Sequence, residues 1–350
     1  MKILVTGGCG FIGINFIKLA LKKNFNVFNI DLLTYASIAN KNLIKHKNYK
    51  FLKLEIGSEK KLFGVLKNFR PNFIVNFAAE THVDKSIDNP IIFLKTNIMS
   101  FGLFLKTLKK YYDQCNKNFK LLHISTDEVY GSLEAKEKSF KEKNKYFPNS
   151  PYAASKASSD HIARSFNKTF GIPIIISNCS NNYGPFQYPE KLIPLTIVNA
   201  ISNQRIPIYG SGNQIRDWLF VNDHCNALLK ILKHGKIGET YNIGGHNQIK
   251  NIDLVKKICK YLDQKFARDK SNSFSKLIIN VEDRLSHDER YSVNCNKIKK
   301  QLKWKAKTSL DSGIKLTIDW YLKNYNWISS NKDTYQKWIK KNYKKRKIFN

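Results

Sequence analysis

Short apolar runs alternate with longer amphipathic stretches through the first half of the chain. Residues 11–23 carry apolar positions at helical spacing, and most later gaps between apolar runs have the same period. Strands that alternate with helices pair in parallel through right-handed crossovers. The pattern therefore predicts an α/β protein with a doubly wound parallel sheet, whose strands cover residues 2–5, 26–30, 51–56, 73–77, 121–125 and 172–178.

After about residue 180 the pattern breaks into shorter pieces. It predicts helices over 192–202, 223–233, 252–262 and 310–322, and strands over 206–209, 240–243 and 276–281. Such pieces suit a smaller C-terminal α/β substrate-binding domain over the carboxyl edge of the sheet. We expect a first domain over 1–180, to which some later segments return, a second over 181–325, and a basic tail over 326–350.

A glycine turn, Gly-x-x-Gly-x-x-Gly, follows the first predicted strand at Gly7, Gly10 and Gly13. In a dinucleotide-binding turn these glycines permit the tight turn, the close approach of a pyrophosphate and the packing of helix on strand. Asp31 ends the second strand, where a carboxylate binds ribose hydroxyls and repels a 2′-phosphate. A purely structural glycine turn is the disfavoured alternative. The spacing predicts a Rossmann-like domain that binds NAD rather than NADP.

Tyr152 and Lys156 lie four residues apart on a helix that Pro151 can begin. An isolated tyrosine has a pKa of about 10, and we expect the Lys156 ammonium and a positive nicotinamide to lower it. Thr126 follows the fifth strand, at the edge of the sheet where ligands bind. These residues predict a hydride-transfer site in which Tyr152 takes a hydroxyl proton and Thr126 hydrogen-bonds the same oxygen.

Two consecutive acids, Asp127 and Glu128, follow Thr126. A plain dehydrogenase does not need such a pair. Once a sugar carbon has become a ketone, one carboxylate can remove a proton from the neighbouring carbon while a second carboxyl group protonates the departing hydroxyl. A solvated acidic turn is the alternative, which the position beside Thr126 disfavours. The acid pair therefore predicts elimination of water.

Composition and charge exclude several other classes. The chain has 350 residues, of which 42% are hydrophobic, and no apolar run approaches the ~20 residues that cross a bilayer. Residues 1–5 lead directly into a strand and glycine turn, so we expect no cleavable signal there. The six cysteines contain no Cys-x-x-Cys pair, which predicts reduced thiols and no metal site. We therefore expect a cytoplasmic protein without a membrane partner.

The formal net charge of +33 raises the possibility of a nucleic-acid partner. Lysines, however, are spread over nearly every predicted helix, which is typical of a general lysine bias. The one concentrated basic run is 337–347, at the end of the tail. We expect no nucleic-acid partner, and interpret the run as a solvated helix end.

Several motifs together resemble the dTDP-glucose 4,6-dehydratase family of extended short-chain dehydrogenases. They are Ser-Thr-Asp-Glu-Val-Tyr-Gly (125–131), the segment 152–160 that contains Tyr152 and Lys156, and the motifs at 178–185, 190–194, 216–218 and 241–245. The resemblance runs from Met1 to about residue 322. It implies bound NAD, a dTDP-glucose substrate, a 4-keto-6-deoxy product on the route to rhamnose or other deoxysugars, and a homodimer formed by helices around 97–113 and 151–168.

The resemblance also implies a role for individual residues. Thr126, Tyr152 and Lys156 would serve hydride transfer, Asp127 would be the acid and Glu128 the base. The implied cofactor contacts are Gly7, Gly10, Phe11, Ile12, Gly13, Asp31, Leu32, Leu33, Thr34, Glu55, Ile56, Phe77, Ala78, Ala79, Thr96, Tyr152, Lys156 and Asn182. The implied substrate contacts are Thr81, Thr126, Asn181, Lys191, Pro207, Ile208, Tyr209, Arg216, Asn251, Asp283, Arg284 and His287.

The chain departs from the family pattern at two places. Glu55-Ile56 replaces the usual Asp-Ile, which reaches the adenine amine, so that contact is expected to shift. Leu285-Ser286 replaces Pro-Gly in the loop 283–288, which removes a fixed φ and a permissive backbone position. The second departure leaves the nucleotide preference open.

Other functions compete with this interpretation. A UDP- or GDP-hexose 4,6-dehydratase would carry the same catalytic residues, whereas a UDP-hexose 4-epimerase needs Tyr152 and Lys156 but no acid pair. A non-catalytic NAD sensor would be expected to lack the tyrosine or the lysine. Without the family, Arg216 could simply pair with Asp217, and a polyanion-binding protein is the weakest candidate.

Overall fold

The structure is a computed structural model that describes residues 1–35, 37, 44–330, 342–343 and 346–349, so most of the predicted tail lies outside the described residues. The described residues form thirteen strands: β1 (Lys2–Thr6), β2 (Asn26–Asp31), β3 (Tyr49–Lys53), β4 (Phe73–Asn76), β5 (Lys120–Thr126), β6 (Ile174–Cys179), β7 (Asn181–Tyr183), β8 (Ile206–Tyr209), β9 (Ile215–Phe220), β10 (Thr240–Ile243), β11 (Gln248–Lys250), β12 (Ile278–Val281) and β13 (Ile348–Phe349).

Helices connect most of these strands. Within the described ranges they are α1 (Phe11–Lys22), α2 (Glu59–Phe69), α3 (Val83–Asp88), α4 (Pro90–Leu94), α5 (Phe101–Gln114), α6 (Pro151–Phe170), α7 (Leu192–Ile201), α8 (Val221–His234), α9 (Asn251–Lys265), α10 (Asn296–Leu302), α11 (Leu310–Lys323) and α12 (Tyr325–Ser330). A π-helical turn (Lys95–Ser100) joins α4 to α5, and 3₁₀ turns cover Asp127–Tyr130, Lys270–Asn272 and Phe274–Leu277.

Seven parallel strands form the central sheet in the order β10-β6-β5-β4-β1-β2-β3. This confirms the predicted Rossmann-like doubly wound sheet. The chain reverses direction across the sheet between β1 and β4, which opens a crevice at their carboxyl ends. The late strand β10 pairs with β6 and so lies in this sheet. The division into domains at residue 180 stays a prediction.

Both faces of the sheet are covered, as a parallel sheet requires. Ile3 and Val5 on β1 pack with α1 and α8 on one face. Leu4, between them, packs on the other face with residues of α2 and α5, including Leu66 and Leu108. Alternate residues of a strand point to opposite faces, so the continuous apolar run of β1 serves two cores.

Two predicted strands are shifted in the structure. The third ends at Lys53 rather than residue 56, because Leu54 N makes a last bond to Asp31 O and Ser58 N closes a turn on Glu55 O. The strand predicted over 276–281 begins at Ile278, since the 3₁₀ turn before it ends at Leu277.

The later elements build two three-stranded sheets, β11-β9-β7 and β13-β12-β8. They enclose a separate core with α7, α9 and α11, to which Ile197, Ile258 and Ile318 contribute. The sequence pattern missed β9 because Arg216 and Asp217 are buried polar residues within it.

One continuous helical segment of the described chain, Pro90–Gln114, is long and apolar enough to cross a membrane by length and composition. This corrects the expectation that no such run exists. Phe101, Phe104 and Leu108 of this segment are buried in the core beside the sheet. A core helix meets the same criterion, so the segment by itself is weak evidence of a membrane span.

Candidate active site

A cavity of about 540 Å³ follows the carboxyl ends of the central strands. It runs from the glycine turn after β1 to the start of α6. Of the residues predicted to bind the cofactor, all but Leu33 line it; of the predicted catalytic residues, all but Asp127 do. The predicted substrate contacts Thr81, Thr126, Asn181 and Lys191 also line it.

The glycine turn forms one end of the cavity. Gly7 has a φ of +68°, and a Cβ there would lie 2.5 Å from the backbone N of Ala78. A Cβ on Gly13 would lie 2.5 Å from Gly7 O, whereas one on Gly10 would meet only Gly7 O at 3.4 Å. Gly10 therefore leaves backbone open toward the cavity, at the N-terminus of α1. The turn fits the pyrophosphate of a dinucleotide.

Asp31 is held beside this turn by three donors. Its carboxylate accepts from Cys9 N at 2.9 Å, Leu33 N at 2.7 Å and the Ser37 hydroxyl at 3.1 Å. Leu33 has a φ of +59°, and its side chain packs beside Cys9 and Ile14 instead of lining the cavity. Leu32 and Thr34 do line it. Asp31 is thus pre-oriented to accept from ribose hydroxyls, while Leu33 contributes its backbone to that orientation.

Glu55 lies farther along the cavity wall, where the sequence predicts the adenine end. Its Oε1 accepts a hydrogen bond of 2.6 Å from the Ser100 hydroxyl, on the π-helical turn that also carries Thr96. Ile56, Phe77, Ala78, Ala79 and Asn182 complete the predicted cofactor wall. The longer side chain of Glu55 is therefore held in a fixed position by Ser100.

Lys156 and Tyr152 project from the first turns of α6. Ser150 caps this helix by accepting from Ala153 N, and Pro151 occupies its first position. The Lys156 ammonium donates to Ile124 O at 2.8 Å. Burial lowers the pKa of Lys156 to about 8, although the negative charge of Asp160 opposes this.

In the protein chain by itself the pKa of Tyr152 is raised rather than lowered, and the expected effect of a positive nicotinamide stays a prediction. Burial raises this pKa well above its ordinary value, and the charge of Glu128 adds to the effect. A hydrogen bond with Thr126 lowers it only in part. The Lys156 ammonium is directed to a backbone carbonyl, and a positive nicotinamide would favour the phenolate when NAD is bound.

Asp127 and Glu128 open the 3₁₀ turn after β5 and have different environments. Asp127 is 2% exposed and lies behind the cavity wall, whereas Glu128 lines the cavity. Burial raises the pKa of Asp127 well above its usual range, and the charges of Glu128 and Asp217 raise it further. Burial also raises the pKa of Glu128, but the positive charges of Arg284, Lys191 and Arg216 oppose it. The pair thus combines a carboxyl group that holds its proton more strongly with one that is more readily ionised.

Arg216 lies on β9 and does not line the cavity. Its guanidinium donates to the carbonyls of Ile215, Asp288 and Glu289 and lies 4.2 Å from the ring centroid of Tyr291. Asp217 instead accepts from the backbone N of Gly245 and Asn247. The alternative in which Arg216 pairs with Asp217 is therefore wrong, and Arg216 keeps a positive charge near Glu128.

The other predicted substrate contacts form a second group outside the cavity. Tyr209 ends β8, which pairs with β12, and its hydroxyl donates to Asp84 at 2.9 Å. The Nδ1 atom of His287 lies 2.6 Å from Oδ1 of Asp283. Ser286, between them, has a φ of +50°, the conformation that a glycine adopts more easily. Pro207 and Ile208 precede Tyr209, Arg284 follows Asp283, and Asn251 begins α9.

Several residues that line the cavity had no predicted role. Glu190 accepts from Lys85 at 2.9 Å and from the Tyr35 hydroxyl at 3.1 Å. Glu190 directly precedes Lys191 in the motif 190–194, and this position could have indicated that it lies in the site. Cys179, at the end of β6, also lines the cavity and donates its thiol to Ser125 O at 3.4 Å. The residues that the structure describes contain no cluster of three or more His, Cys, Asp or Glu able to hold a metal ion.

Comparison with known proteins agrees with this geometry. Residues 4–317 match the family model described as GDP-mannose 4,6 dehydratase. The dTDP-glucose 4,6-dehydratase of Shigella flexneri is 44% identical over 99% of this chain and 100% of its own length.

Solved structures agree as well. The dTDP-glucose 4,6-dehydratase of Bacillus anthracis in complex with NAD is 41% identical, with a TM-score of 0.84 over 95% of this chain and 99% of that one. The enzyme of Streptomyces venezuelae, also with NAD bound, is 36% identical, with a TM-score of 0.84 over 93% and 98%. The chain belongs to the dTDP-glucose 4,6-dehydratase family of NAD-dependent sugar-nucleotide dehydratases.

Proposed function

We propose that this chain converts dTDP-glucose into dTDP-4-keto-6-deoxyglucose and water, a hydro-lyase reaction with no net redox change. The observation that carries the proposal is the acid pair Asp127 and Glu128 beside Tyr152 and Lys156, next to a cavity that fits NAD. The pair distinguishes a dehydratase from a simple dehydrogenase.

The first step oxidises C4 of the glucose. Tyr152 removes the C4 hydroxyl proton, and Thr126 hydrogen-bonds the same oxygen. Lys156 holds a positive charge close by, anchored on Ile124 O. Bound NAD supplies a hydride acceptor at the start of the cycle and a hydride donor at its end.

Elimination follows, because the C5 proton becomes acidic once C4 is a ketone. Glu128 takes this proton, and the positive charges of Arg284, Lys191 and Arg216 favour its ionised form. Asp127, whose pKa burial raises, gives its proton to the departing C6 hydroxyl. Opposed protonation states of two neighbouring carboxyl groups are what this step requires.

Recognition of the nucleotide falls to Lys191 in the cavity wall and to the second group of residues. Lys191 can neutralise the diphosphate as a point charge, whereas the guanidinium of Arg216 is held by backbone carbonyls and adds positive charge nearby. The end of β8 (207–209) and the loop 283–287 would contact the base. A UDP- or GDP-hexose 4,6-dehydratase is the second candidate, since Leu285 and Ser286 lie in this loop.

We infer in addition that the protein is a cytoplasmic homodimer. The Pro90–Gln114 segment exposes large apolar side chains, among them Ile91 at 54% and Met99 at 65%. A two-fold axis would pair this patch with its own copy and cover both. The cysteines are all free, and five of them are buried, which suits a reducing compartment.

The decisive experiment incubates the purified protein with dTDP-, UDP- and GDP-linked hexoses side by side, without added oxidant. We expect a 4-keto-6-deoxy sugar from dTDP-glucose at the highest kcat/KM. Recovery of unchanged dTDP-glucose from NAD-loaded protein would contradict the proposal, and a higher rate with another nucleotide would favour the second candidate.

A further inference from the structure

The last described residues of the chain return to the second group of substrate residues. β13 pairs antiparallel with β12, with Ile348 opposite Val281. Glu282 N also donates to Lys347 O at 2.8 Å. The end of the tail is therefore an edge strand next to the strand that leads into the loop 283–287.

Tyr209, the last residue of β8, contacts several side chains of the tail. The ring of Tyr343 stacks on it, with centroids 5.7 Å apart and an interplanar angle of 29°. The side-chain amide of Asn342 donates to the Tyr209 hydroxyl at 2.8 Å. That hydroxyl also donates to Asp84, so both of its hydrogen-bonding roles are used. The tail thus fixes the orientation of a predicted nucleotide contact.

Arg346 connects the end of β8 to the loop 283–287, the two segments that are predicted to contact the nucleotide. Its guanidinium donates to Asp283 O at 2.9 Å and to Glu282 O at 3.2 Å. The same group lies 4.6 Å from the ring centroid of Tyr209. A planar guanidinium can serve carbonyl oxygens and an aromatic face at once. Arg346 therefore holds the start of the loop 283–287 against Tyr209 at the end of β8.

The loop that Arg346 holds has Leu285-Ser286 in place of the proline and glycine of the family pattern. Leu285 is 73% exposed, and Ser286 has a φ of +50°. The Asp283 carboxylate accepts from Gln214 at 2.9 Å and lies 2.6 Å from His287, so a displaced backbone at Asp283 would carry His287 with it. Bracing from outside the loop keeps these groups in place before the ligand arrives.

We propose that Tyr343 and Arg346 are positioning residues for the sugar nucleotide, which they serve by bracing Tyr209 and the loop 283–287. The inference rests on the proposed function, because it takes Tyr209 and the loop 283–287 to be nucleotide contacts. Where a binding-competent loop is only fractionally populated, the apparent affinity falls by that fraction. The two residues should therefore govern KM for the sugar nucleotide and leave kcat and NAD binding unchanged.

The test compares Tyr343→Ala and Arg346→Ala with Lys347→Ala in steady-state kinetics with dTDP-glucose. Lys347 is an exposed neighbour whose backbone bond to Glu282 survives the change, so its variant removes one charge from the same segment. We expect KM to rise about tenfold in the first two variants, which corresponds to a loop that is in its binding-competent conformation about a tenth of the time. We expect kcat to stay within about twofold of the value for the unsubstituted protein. Tyr343→Phe keeps the stacked ring but loses the hydrogen bond to Tyr209, so its KM should lie between those of the unsubstituted protein and Tyr343→Ala.

NAD content and thermal unfolding are measured on every variant. An unchanged KM in Tyr343→Ala and Arg346→Ala, an equal rise in Lys347→Ala, or a parallel loss of kcat and NAD would overturn the inference. Absence of turnover by the unsubstituted protein would overturn the proposed function instead. Calorimetric titration with dTDP then decides the inference separately, since equal affinities in all the proteins would contradict it.

Discussion

At the scale of single residues, the chemistry depends on how burial and charge act on neighbouring carboxyl groups. Asp127 and Glu128 are adjacent in sequence, yet only Glu128 lines the cavity. Cations from three separate parts of the chain oppose the effect of burial on Glu128. Two neighbouring carboxyl groups can thus take opposite parts in one elimination.

Glu128→Gln should separate hydride transfer from elimination. An amide cannot accept the C5 proton, and loss of a general base lowers the rate of its step by about 10²–10⁴-fold. We expect formation of the 4-keto-6-deoxy product to fall by that factor, while absorbance of the reduced nicotinamide still appears on mixing with dTDP-glucose. Glu134→Gln, at an exposed acid, is the matched control. Full product formation in Glu128→Gln would contradict the assignment.

Lys156 should give the activity a basic limb. Its pKa is lowered to about 8 by burial, so the ammonium is present below that pH and is lost as the pH rises through it. We expect kcat/KM for dTDP-glucose to fall above about pH 8 with the slope of one proton. Asp160 raises the pKa of Lys156, so Asp160→Asn should move this limb to lower pH. A flat profile across this range would argue against the role of Lys156.

At the scale of elements, the first strand, the glycine turn and α1 were predictable because their signals are local. The required backbone geometry is encoded within Gly7, Gly10 and Gly13, and Asp31 follows at the end of the next strand. The strand β9 was not predictable, since Arg216 and Asp217 are buried by partners far away in sequence. Local periodicity carries no information about such partners.

The glycine turn offers a paired test of fold against cofactor binding. Gly13→Ala would place a Cβ 2.5 Å from Gly7 O, and overpacking of this kind costs about 1–3 kcal/mol. Gly10→Ala meets only one atom, at 3.4 Å, but adds a methyl group where the backbone faces the cavity. We expect Gly13→Ala to lower the midpoint of urea unfolding, and Gly10→Ala to lower NAD content at an unchanged midpoint. Equal behaviour of the two variants would count against this description of the turn.

A second element-scale prediction concerns the left-handed residue Ser286. A side chain at its φ of +50° costs about 1–2 kcal/mol. Ser286→Gly should therefore not lower the free energy of unfolding, whereas the β-branched Ser286→Val should lower it by about 1 kcal/mol. Urea unfolding of both variants measures the difference, and a stabilised valine variant would contradict the assigned conformation.

At the scale of the whole molecule, the predicted site residues fall into two groups. The cofactor contacts and most catalytic residues share one cavity, whereas Tyr209, Arg216 and Asp283 lie outside it. The sequence could indicate both groups through motifs. It could not indicate that Tyr343 stacks on Tyr209, because these residues are more than a hundred positions apart.

The exposed apolar patch on Pro90–Gln114 gives a prediction for assembly. Met99→Lys places a charge in the patch, which would be desolvated if a second copy covers it. We expect light scattering to report a dimer for the unsubstituted protein and a shift toward monomer for Met99→Lys. Lys95→Gln, on the same segment, is the control. A monomeric unsubstituted protein would contradict the proposed homodimer.

The burial of five cysteines has a practical consequence for chemical labelling. Burial raises the pKa of the Cys179 thiol to about 12, so this thiol stays protonated and poorly nucleophilic although it lines the cavity. Cys115, after α5, is the one exposed cysteine of the chain. A maleimide dye should therefore attach there first, which gives the native sequence a single handle for fluorescence without any engineered cysteine.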